Sequence, residues 1–300
     1  MELGLGLQSD KAPGEYVALA RRAEEGGFDV ISVYQDLFFQ PAIAPLLHIA
    51  AATERVRLGP AALNPYTLHP VEIAGQIAAL DAASGGRAYL GLVQGSWLEQ
   101  LGIEPRKPLT AVRETIEIVR RLLAGDRSGF AGELFTLAAG AGLNYEPVRP
   151  DVPLMIGTWK PRLAALAGEV ANEVKIGGCA NPDMVRLVRE WVGNDEVGIV
   201  VGAVTVVDED GRAARERARA EVELYLPVVG GLDPTLELAP GAEPPLEKFV
   251  FAGTPEDVAA HARRLFEAGA SRVELGTPQG LTTEGGVDLL ARRVLPLLRR

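Results

Sequence analysis

Short apolar strands alternate with amphipathic helices along almost the whole chain, and this alternation constrains the fold more than any other feature. Eight strands are predicted, from Leu3–Leu7 to Arg272–Leu275, and each is paired with a helix. Parallel strands need crossover connections of this kind. The count predicts one (β/α)8 TIM barrel domain over residues 1–300. An open doubly wound sheet is disfavoured, because no glycine-rich dinucleotide turn follows the first strand.

The unit at residues 56–102 is the most informative part of the chain. A strand at Val56–Gly59 runs into an irregular turn from Pro60 to Pro65, and a helix then begins at His69-Pro70. The next strand, Ala88–Val93, follows a pair of glycines. Loops after the carboxyl ends of barrel strands are where such folds carry their chemistry, so this turn is a candidate site.

Two segments interrupt the alternation. Residues 125–152 form an excursion with a small hairpin predicted around Phe130–Leu137. Residues 226–252 are rich in glycine and proline and are predicted to be an insertion or lid loop.

Charge and cysteine usage exclude several classes of protein. The net charge of −10 argues against a nucleic-acid-binding surface, which needs a basic stripe, and weakly against binding to anionic membranes. The single cysteine, Cys179, permits no intramolecular disulfide, as is typical of a reducing compartment. The chain has neither a basic, apolar leader nor an apolar run long enough to cross a bilayer, so we expect a soluble cytoplasmic protein.

Common catalytic motifs are absent from the sequence. There is no nucleophile elbow, phosphate-binding P-loop, HExxH or CxxC motif, and the three histidines lie far apart, so no metal site is expected. Cys179 follows two glycines at a predicted strand end. It is either a small apolar filler or a nucleophile, and the lack of a partner base favours the filler.

A longer stretch of the sequence resembles a known protein family. Residues 58–91, LGPAALNPYTLHPVEIAGQIAALDAASGGRAYLG, resemble the signature region of the bacterial luciferase-like superfamily. Within it they most resemble the deazaflavin-dependent branch typified by methylenetetrahydromethanopterin reductase. The likeness continues over 101–116, 166–185 and 253–280.

This resemblance implies a coenzyme F420 site at the mouth of the barrel. A non-prolyl cis peptide is implied between Ala61 and Ala62, where it would support one face of the tricyclic ring; an ordinary proline-rich turn is the alternative. Asn64 could hydrogen-bond the cofactor head group or cap its own turn. His69 could contact the cofactor tail or only begin the helix.

The phosphate-bearing tail is expected on backbone amides at two helix starts, because helix N-termini bind anions. One segment runs from Gly157 through Trp159 and Lys160, and the other contains Gly177, Gly178 and Cys179. Lys160 could add a charge or simply be solvated. Trp159 could cover the ring or the substrate, or belong to the core.

The chain departs from the family pattern at three polar positions. The reductase branch has a glutamate where this chain has Gly6, a histidine in place of Leu37, and an aspartate near Ser96. Asp36 is retained and is therefore the best candidate for an acid or polar orienter, with Gln94 and Ser96 as second choices. These losses place the reductase's own reaction in doubt.

The leading hypothesis is an oxidoreductase that transfers hydride between coenzyme F420 and a small organic substrate. An FMN-dependent monooxygenase on the same scaffold is the first alternative, and a non-catalytic ligand-binding barrel is the second. The second and third helices, around Ala42–Ala52 and Ile73–Ala83, are apolar on more than one face. They predict a homodimer interface, as the resemblance also implies.

Overall fold

Parallel strands form the wall of a barrel in the computed structural model, which describes residues 1–239 and 242–299. The strands in chain order are β1 (Glu2–Leu7), β2 (Val30–Tyr34), β3 (Arg57–Ala61), β4 (Leu90–Leu92), β5 (Phe130–Ala131), β6 (Thr136–Leu137), β7 (Leu154–Gly157), β8 (Glu173–Gly177), β9 (Gly198–Val207), β10 (Val250–Gly253) and β11 (Arg272–Gly280). Eight of them follow one another around the wall in the order β3-β2-β1-β11-β9-β8-β7-β4. Isolated parallel bridges Leu58–Ala88 and Leu63–Leu92 join β4 back to β3. The predicted (β/α)8 barrel is confirmed.

Helices alternate with the barrel strands. They are α1 (Pro13–Gly26), α2 (Ile43–Ala52), α3 (Pro70–Ala83), α4 (Pro108–Leu123), α5 (Pro161–Val170), α6 (Pro182–Val192), α7 (Gly211–Val222), α8 (Leu226–Leu232), α9 (Pro255–Glu267), α10 (Thr283–Leu289) and α11 (Leu295–Leu298). Several begin with proline at the first or second position, where its missing N–H costs nothing. Among the described residues, no helix has the length and apolarity that a membrane span requires.

The two faces of each barrel strand have different surroundings. On β2, Ile31 and Val33 pack outward into the main apolar core beneath the helices. Val30 and Ser32 point into the barrel, where they contact Tyr89, the residue directly before β4. Because side chains alternate along a strand, Tyr34 also points inward, one step nearer the carboxyl end.

The segment 226–252 contains more regular structure than a loop. It holds α8, a 3-10 turn at Leu246–Lys248 and the strand β10, where the sequence predicted an insertion or lid loop. Its role as a lid stays a prediction. Its Pro240 and Gly241 lie outside the described residues. β10 pairs in parallel with the outer half of β9, from Val204 to Val207. Its four residues are too short a run to stand out from a glycine- and proline-rich background.

Glu114 of α4 organises the other excursion. Its carboxylate accepts hydrogen bonds from the backbone N–H groups of Glu133 (2.6 Å), Leu134 (2.9 Å) and Phe135 (2.9 Å). These three residues form the turn between β5 and β6, which pair in antiparallel fashion. The hairpin predicted around Phe130–Leu137 is therefore confirmed, and a buried carboxylate from a barrel helix fixes it.

Candidate active site

The strand β3 ends in an irregular bulge at the mouth of the barrel. The peptide bond between Ala61 and Ala62 is cis, as the resemblance implied. β3 itself extends to Ala61, so the prediction that the turn begins at Pro60 was wrong by two residues. After the cis bond the chain pairs with β4, since the Leu63 N–H donates to the Gly91 carbonyl at 3.0 Å.

Glycines line the inside of the barrel at this level. Gly6 and Gly177 lie at or near the carboxyl ends of β1 and β8, and Gly276 of β11 is paired with Gly6 at the same level. A Cβ atom added at Gly177 would meet no atom within 4 Å, so the space above this strand end is open. The open space over Gly177 can accept a broad, flat ring close to the backbone, whereas Tyr34 fills the space over Gly6 and Gly276.

A buried ionic cluster fills the barrel below the mouth. Lys175 of β8 forms an ion pair with Glu274 of β11, and the Glu274 carboxylate also accepts a hydrogen bond from the Ser32 hydroxyl. One layer lower, Arg272 Nη2 lies 3.2 Å from Glu173 Oε2. Arg272 and Glu274 are fully buried, and a charge in such a place must be paired to be tolerated.

Mutual pairing sets the protonation of this cluster. Burial alone would raise the pKa of Glu274, but Lys175 and Arg272 outweigh it and the pKa is lowered. Burial lowers the pKa of Lys175, an effect that its pairing with Glu274 opposes. Burial would likewise lower the pKa of Arg272, yet the nearby acidic groups, led by Glu173, together outweigh this and raise it. The lowered pKa of Glu274 and the raised pKa of Arg272 both favour the charged forms of these two groups.

Sequence reasoning missed this cluster. Its signal was present, because Glu173 and Lys175 on one strand and Arg272 and Glu274 on another are charged residues at every second position of otherwise apolar strands. Every second residue of a barrel strand points inward. Four charges at such spacing therefore predict an ionic barrel interior.

Asp36, the retained acid, lies in the loop after β2 and is half-buried. Its Oδ2 accepts a hydrogen bond from Gln8 Nε2 at 3.0 Å, and Gln8 follows the end of β1. Asp36 also contributes to the electrostatic environment of both Tyr34 and Tyr225, which places these three groups around the same mouth. Its catalytic role stays a prediction.

Several other predicted residues also have local structural partners. Asn64 Oδ1 accepts from the N–H groups of Tyr66 and Thr67, both at 3.0 Å, so its oxygen caps the turn. His69 begins α3, with its Nδ1 accepting from Val71 N at 3.2 Å. Gln94 is half-buried beside the mouth, just after β4. Contact of Asn64 and Gln94 with a cofactor stays a prediction.

Protein partners already occupy part of the start of α6. The Cys179 N–H donates to the Gly202 carbonyl at 3.0 Å, and the Ala180 N–H donates to the Lys248 carbonyl at 2.8 Å. Asp183 already places a carboxylate in the first turn, 2.8 Å from Lys248 Nζ. The Cys179 amide thus already has a protein partner, and its contact with a cofactor phosphate stays a prediction.

The Cys179 side chain is equally unavailable. It is fully buried, and burial raises the pKa of its thiol to about 12, so the thiolate that a nucleophile requires does not form near neutral pH. The structure thus supports the filler interpretation. Gly178, whose φ is +70°, packs against Val229 of α8.

The start of α5 has free backbone amides and no acid in its first turn, unlike the start of α6. No acidic residue and no side-chain cap occupy its first turn, and Lys160 precedes it with an exposed side chain. In the part of the chain that the structure describes, the N–H groups of Arg162 and Leu163 have no hydrogen-bond partner. Free amides at the positive end of a helix dipole suit an anion.

Trp159 connects the loop after β7 with the end of β8. Its indole N–H donates to the Gly177 carbonyl at 2.9 Å, and the half-buried ring packs against both large apolar clusters. The ring thereby borders the open space above Gly177. This position is compatible with both of the roles that its sequence context left open.

Exposed apolar side chains surround the mouth. They lie on the segments after β2, β4 and β11 and on α8, and Phe38 is the most exposed aromatic at 77%. The set comprises Phe38, Phe39, Trp97, Leu101, Val228, Leu232 and Leu281. A surface cavity lies elsewhere, between the end of α4 and residues 142–150, and none of these side chains lines it.

Comparison with known proteins agrees with this geometry. The family model described as luciferase-like monooxygenase matches residues 1–272. A 5,10-methylenetetrahydromethanopterin reductase of Archaeoglobus fulgidus is 27% identical, with 100% of both chains covered. An F420-dependent glucose-6-phosphate dehydrogenase of Rhodococcus erythropolis is 25% identical over 99% of this chain and 98% of its own. The solved coenzyme F420 dependent tetrahydromethanopterin reductase from Methanopyrus kandleri superposes with a TM-score of 0.83 at 24% identity, covering 98% of each chain.

Proposed function

Because the chain belongs to the luciferase-like monooxygenase family, we propose that it is a coenzyme F420-dependent oxidoreductase acting on a small organic substrate. The observation that carries this proposal is the similarity of the chain, over its full length, to F420-dependent enzymes. The structure is consistent with it, because glycines line the barrel mouth beside the cis Ala61–Ala62 bulge. A reductase-like hydride transfer follows from the names of the relatives. A barrel that only binds ligands has no support among them.

The coenzyme would span the mouth from β3 to α5. The bulge at Ala61 and Ala62 would support the ring, and the open space above Gly177 would admit it without a clash. The tail phosphate would lie at the start of α5, near Lys160 and the free amides, rather than at α6. Gly157, Trp159 and Gln94 border this path.

When bound, the deazaflavin supplies the two-electron chemistry. The protein's own residues position the ring and the substrate and keep water from the reacting atoms. The apolar rim of Phe38, Phe39 and Trp97 favours a substrate that is itself largely apolar. Asp36, held by Gln8, is the acid nearest to the mouth that the sequence singles out.

An FMN-dependent monooxygenase is the second candidate, because the family's own description names monooxygenases. Both cofactors carry a flat tricyclic ring and a phosphate, so the mouth does not discriminate between them by shape. The full-length relatives with named coenzyme dependence favour F420.

The oligomeric state and location form a further part of the proposal. α2 and α3 are apolar beyond the face that packs on the barrel, and Leu47 of α2 is 37% exposed. We propose a homodimer through these helices. A single buried cysteine and the absence of disulfides fit a cytoplasmic enzyme.

Titration of the purified protein with F420 and with FMN tests the proposal. We expect saturable quenching of coenzyme fluorescence by F420 at micromolar concentrations, and at least about tenfold weaker binding of FMN, which corresponds to about 1.4 kcal/mol. Tighter binding of FMN would establish the second candidate instead. Failure to bind either would overturn both.

A further inference from the structure

The Tyr34 hydroxyl reaches from β2 across the inside of the barrel. A Cβ atom at Gly6 would lie 2.1 Å from the Tyr34 hydroxyl oxygen, and a Cβ atom at Gly276 would lie 2.6 Å from it. Two strands, β1 and β11, thus carry glycine where this hydroxyl needs room. Tyr34 occupies the volume that a longer side chain at residue 6 would fill.

This hydroxyl differs from most other tyrosine hydroxyls of the chain. Those of Tyr16, Tyr66 and Tyr89 each lie within 3.1 Å of a protein hydrogen-bond partner. Among the described residues, the Tyr34 hydroxyl has none, although the side chain is only partly exposed. A partly buried hydroxyl without a protein partner is free to bond to a ligand in the mouth.

The charges around Tyr34 keep it protonated and ready to donate. Burial, followed by the nearby negative charge of Glu274, raises the pKa of Tyr34 above its ordinary value. Lys175 Nζ lies 5.4 Å from the centre of the ring, where its positive charge favours a phenolate if one forms. Asp36 and Tyr225 are the other ionisable groups that face it from the mouth.

Tyr34 also lies next to the bulge. In the β2–β3 register its Cα is paired with Ala61, the first residue of the cis bond. The backbone of Tyr34 is therefore beside the bulge, while its hydroxyl lies over Gly6 and Gly276 inside the barrel. Gly6, where the expected strand-one glutamate is missing, lies under the same oxygen.

We propose that Tyr34 is the catalytic proton donor and acceptor of this site. The proposal rests on the proposed function and fits a substrate with a C=O or C=N bond. In the reducing direction, the carbon of this bond takes a hydride, and the π electron pair moves to the oxygen or nitrogen. The Tyr34 O–H bond breaks and its proton goes to that atom.

The electrons and the proton of this step have defined sources. The hydride brings both electrons from the reduced coenzyme, which leaves oxidised, and the Tyr34 phenolate regains a proton from water at the open mouth. In the oxidising direction the same atoms move in reverse. Lys175 would stabilise the transient phenolate by its position over the ring.

A spectroscopic experiment tests the placement without requiring turnover. The chain has six tyrosines, so protein labelled with ¹³C at tyrosine Cζ gives six signals, and Tyr34→Phe identifies one of them by its loss. On saturation with F420, we expect the Tyr34 signal to shift while that of Tyr145, a surface residue of the 125–152 excursion, stays unchanged. An unmoved Tyr34 signal in protein that binds F420 overturns the proposal but leaves the proposed function intact. Absence of F420 binding overturns the proposed function itself.

A kinetic experiment tests the role. The probe is the ketone or aldehyde that the wild-type protein reduces fastest with reduced F420. Tyr34→Phe keeps the ring and its packing, so we expect a loss in kcat of about 100-fold or more, the usual contribution of a general acid. The F420 Kd and the KM should change less than about threefold, and Tyr145→Phe should match the wild type. Wild-type kcat in Tyr34→Phe would overturn the assignment.

Discussion

Gly6 and Gly177 both lie at the mouth of the barrel, but they differ in what a side chain would meet. A Cβ atom at Gly6 would lie 2.1 Å from the Tyr34 hydroxyl and 2.7 Å from its Cζ, whereas one at Gly177 would meet nothing within 4 Å. The Tyr34 ring has little room to yield, because Gly276 borders the same hydroxyl. The two glycines therefore offer a matched pair of substitutions.

We expect Gly6→Ala to lower the free energy of unfolding by about 1–3 kcal/mol, as overpacked interiors do. Gly177→Ala should change it by less than about 0.5 kcal/mol. It should nevertheless weaken F420 binding if the ring occupies the open space. Urea unfolding of the apoprotein and fluorescence titration measure the two effects, and equal stabilities of both variants would contradict the packing argument.

At the scale of elements, the neighbouring helices α5 and α6 differ in the charges at their N-termini, which lie near the mouth. α5 begins beside exposed Lys160 with no acid in its first turn, while Lys248 near the start of α6 is already paired with Asp183 at 2.8 Å. We expect Lys160→Met to weaken F420 binding about fivefold, equivalent to about 1 kcal/mol for one charge at a helix N-terminus. The loss should shrink at high salt.

Lys248→Met is the control for this prediction. It removes the same charge from the adjacent helix start, where the carboxylate of Asp183 has its lowered pKa chiefly because Lys248 bonds to it. Binding of F420 should stay within about twofold of the wild type, since the Lys248 charge and the amides of Cys179 and Ala180 already have protein partners. Stronger loss in Lys248→Met than in Lys160→Met would place the tail at α6 instead.

The elements that sequence predicted best are those whose signals are local. Thr254 followed by Pro255 is a local signal for the start of α9, and the structure shows the Thr254 cap and a reciprocal bond with Asp257. β10 was missed because its place in the sheet depends on pairing with β9, which no local pattern reports. The blocked amide of Cys179 was missed for the same reason, as its partner Gly202 is on the next strand. The position of Tyr34 over Gly6 likewise follows from neighbouring strands.

At the scale of the whole molecule, the ionic cluster inside the barrel links stability to pH. The pKa of Glu274 is lowered in the folded state by Lys175 and Arg272, despite burial. Its contribution to stability is therefore present above the ordinary carboxyl range and is lost as the pH falls through the lowered value. We expect the wild type to lose stability below about pH 4.5.

Glu274→Gln tests this linkage. At pH 7 it should lower the free energy of unfolding by about 3–5 kcal/mol, because it leaves Lys175 buried without its counter-charge. The difference from the wild type should narrow in acid, where Glu274 also becomes neutral. Glu169→Gln, in the exposed pair with Arg113, should cost less than about 1 kcal/mol. A constant difference across pH would show that Glu274 is not ionised in the fold.

Assembly is the last property at this scale, and the surface of α2 makes it testable. Its outward residues Ala44, Leu47 and Ala51 are all exposed and apolar, a pattern that a monomer rarely maintains on one helix. We expect light scattering to give about twice the chain mass of 31.9 kDa. A stable dimer of this kind buries roughly 1,200–2,000 Å² in total, enough for a charge at its centre to disrupt it.

Leu47→Glu should therefore give a folded monomer, with unchanged circular dichroism. Leu224→Glu adds the same charge at a residue that is 94% exposed after α7, far along the chain from α2, and should leave the dimer intact. Because the loop from β2 to α2 carries Asp36 and Phe38, loss of the dimer should also weaken F420 binding by loosening this side of the mouth. A wild-type monomer at tens of micromolar would contradict the prediction, since an interface of that size holds at such concentrations.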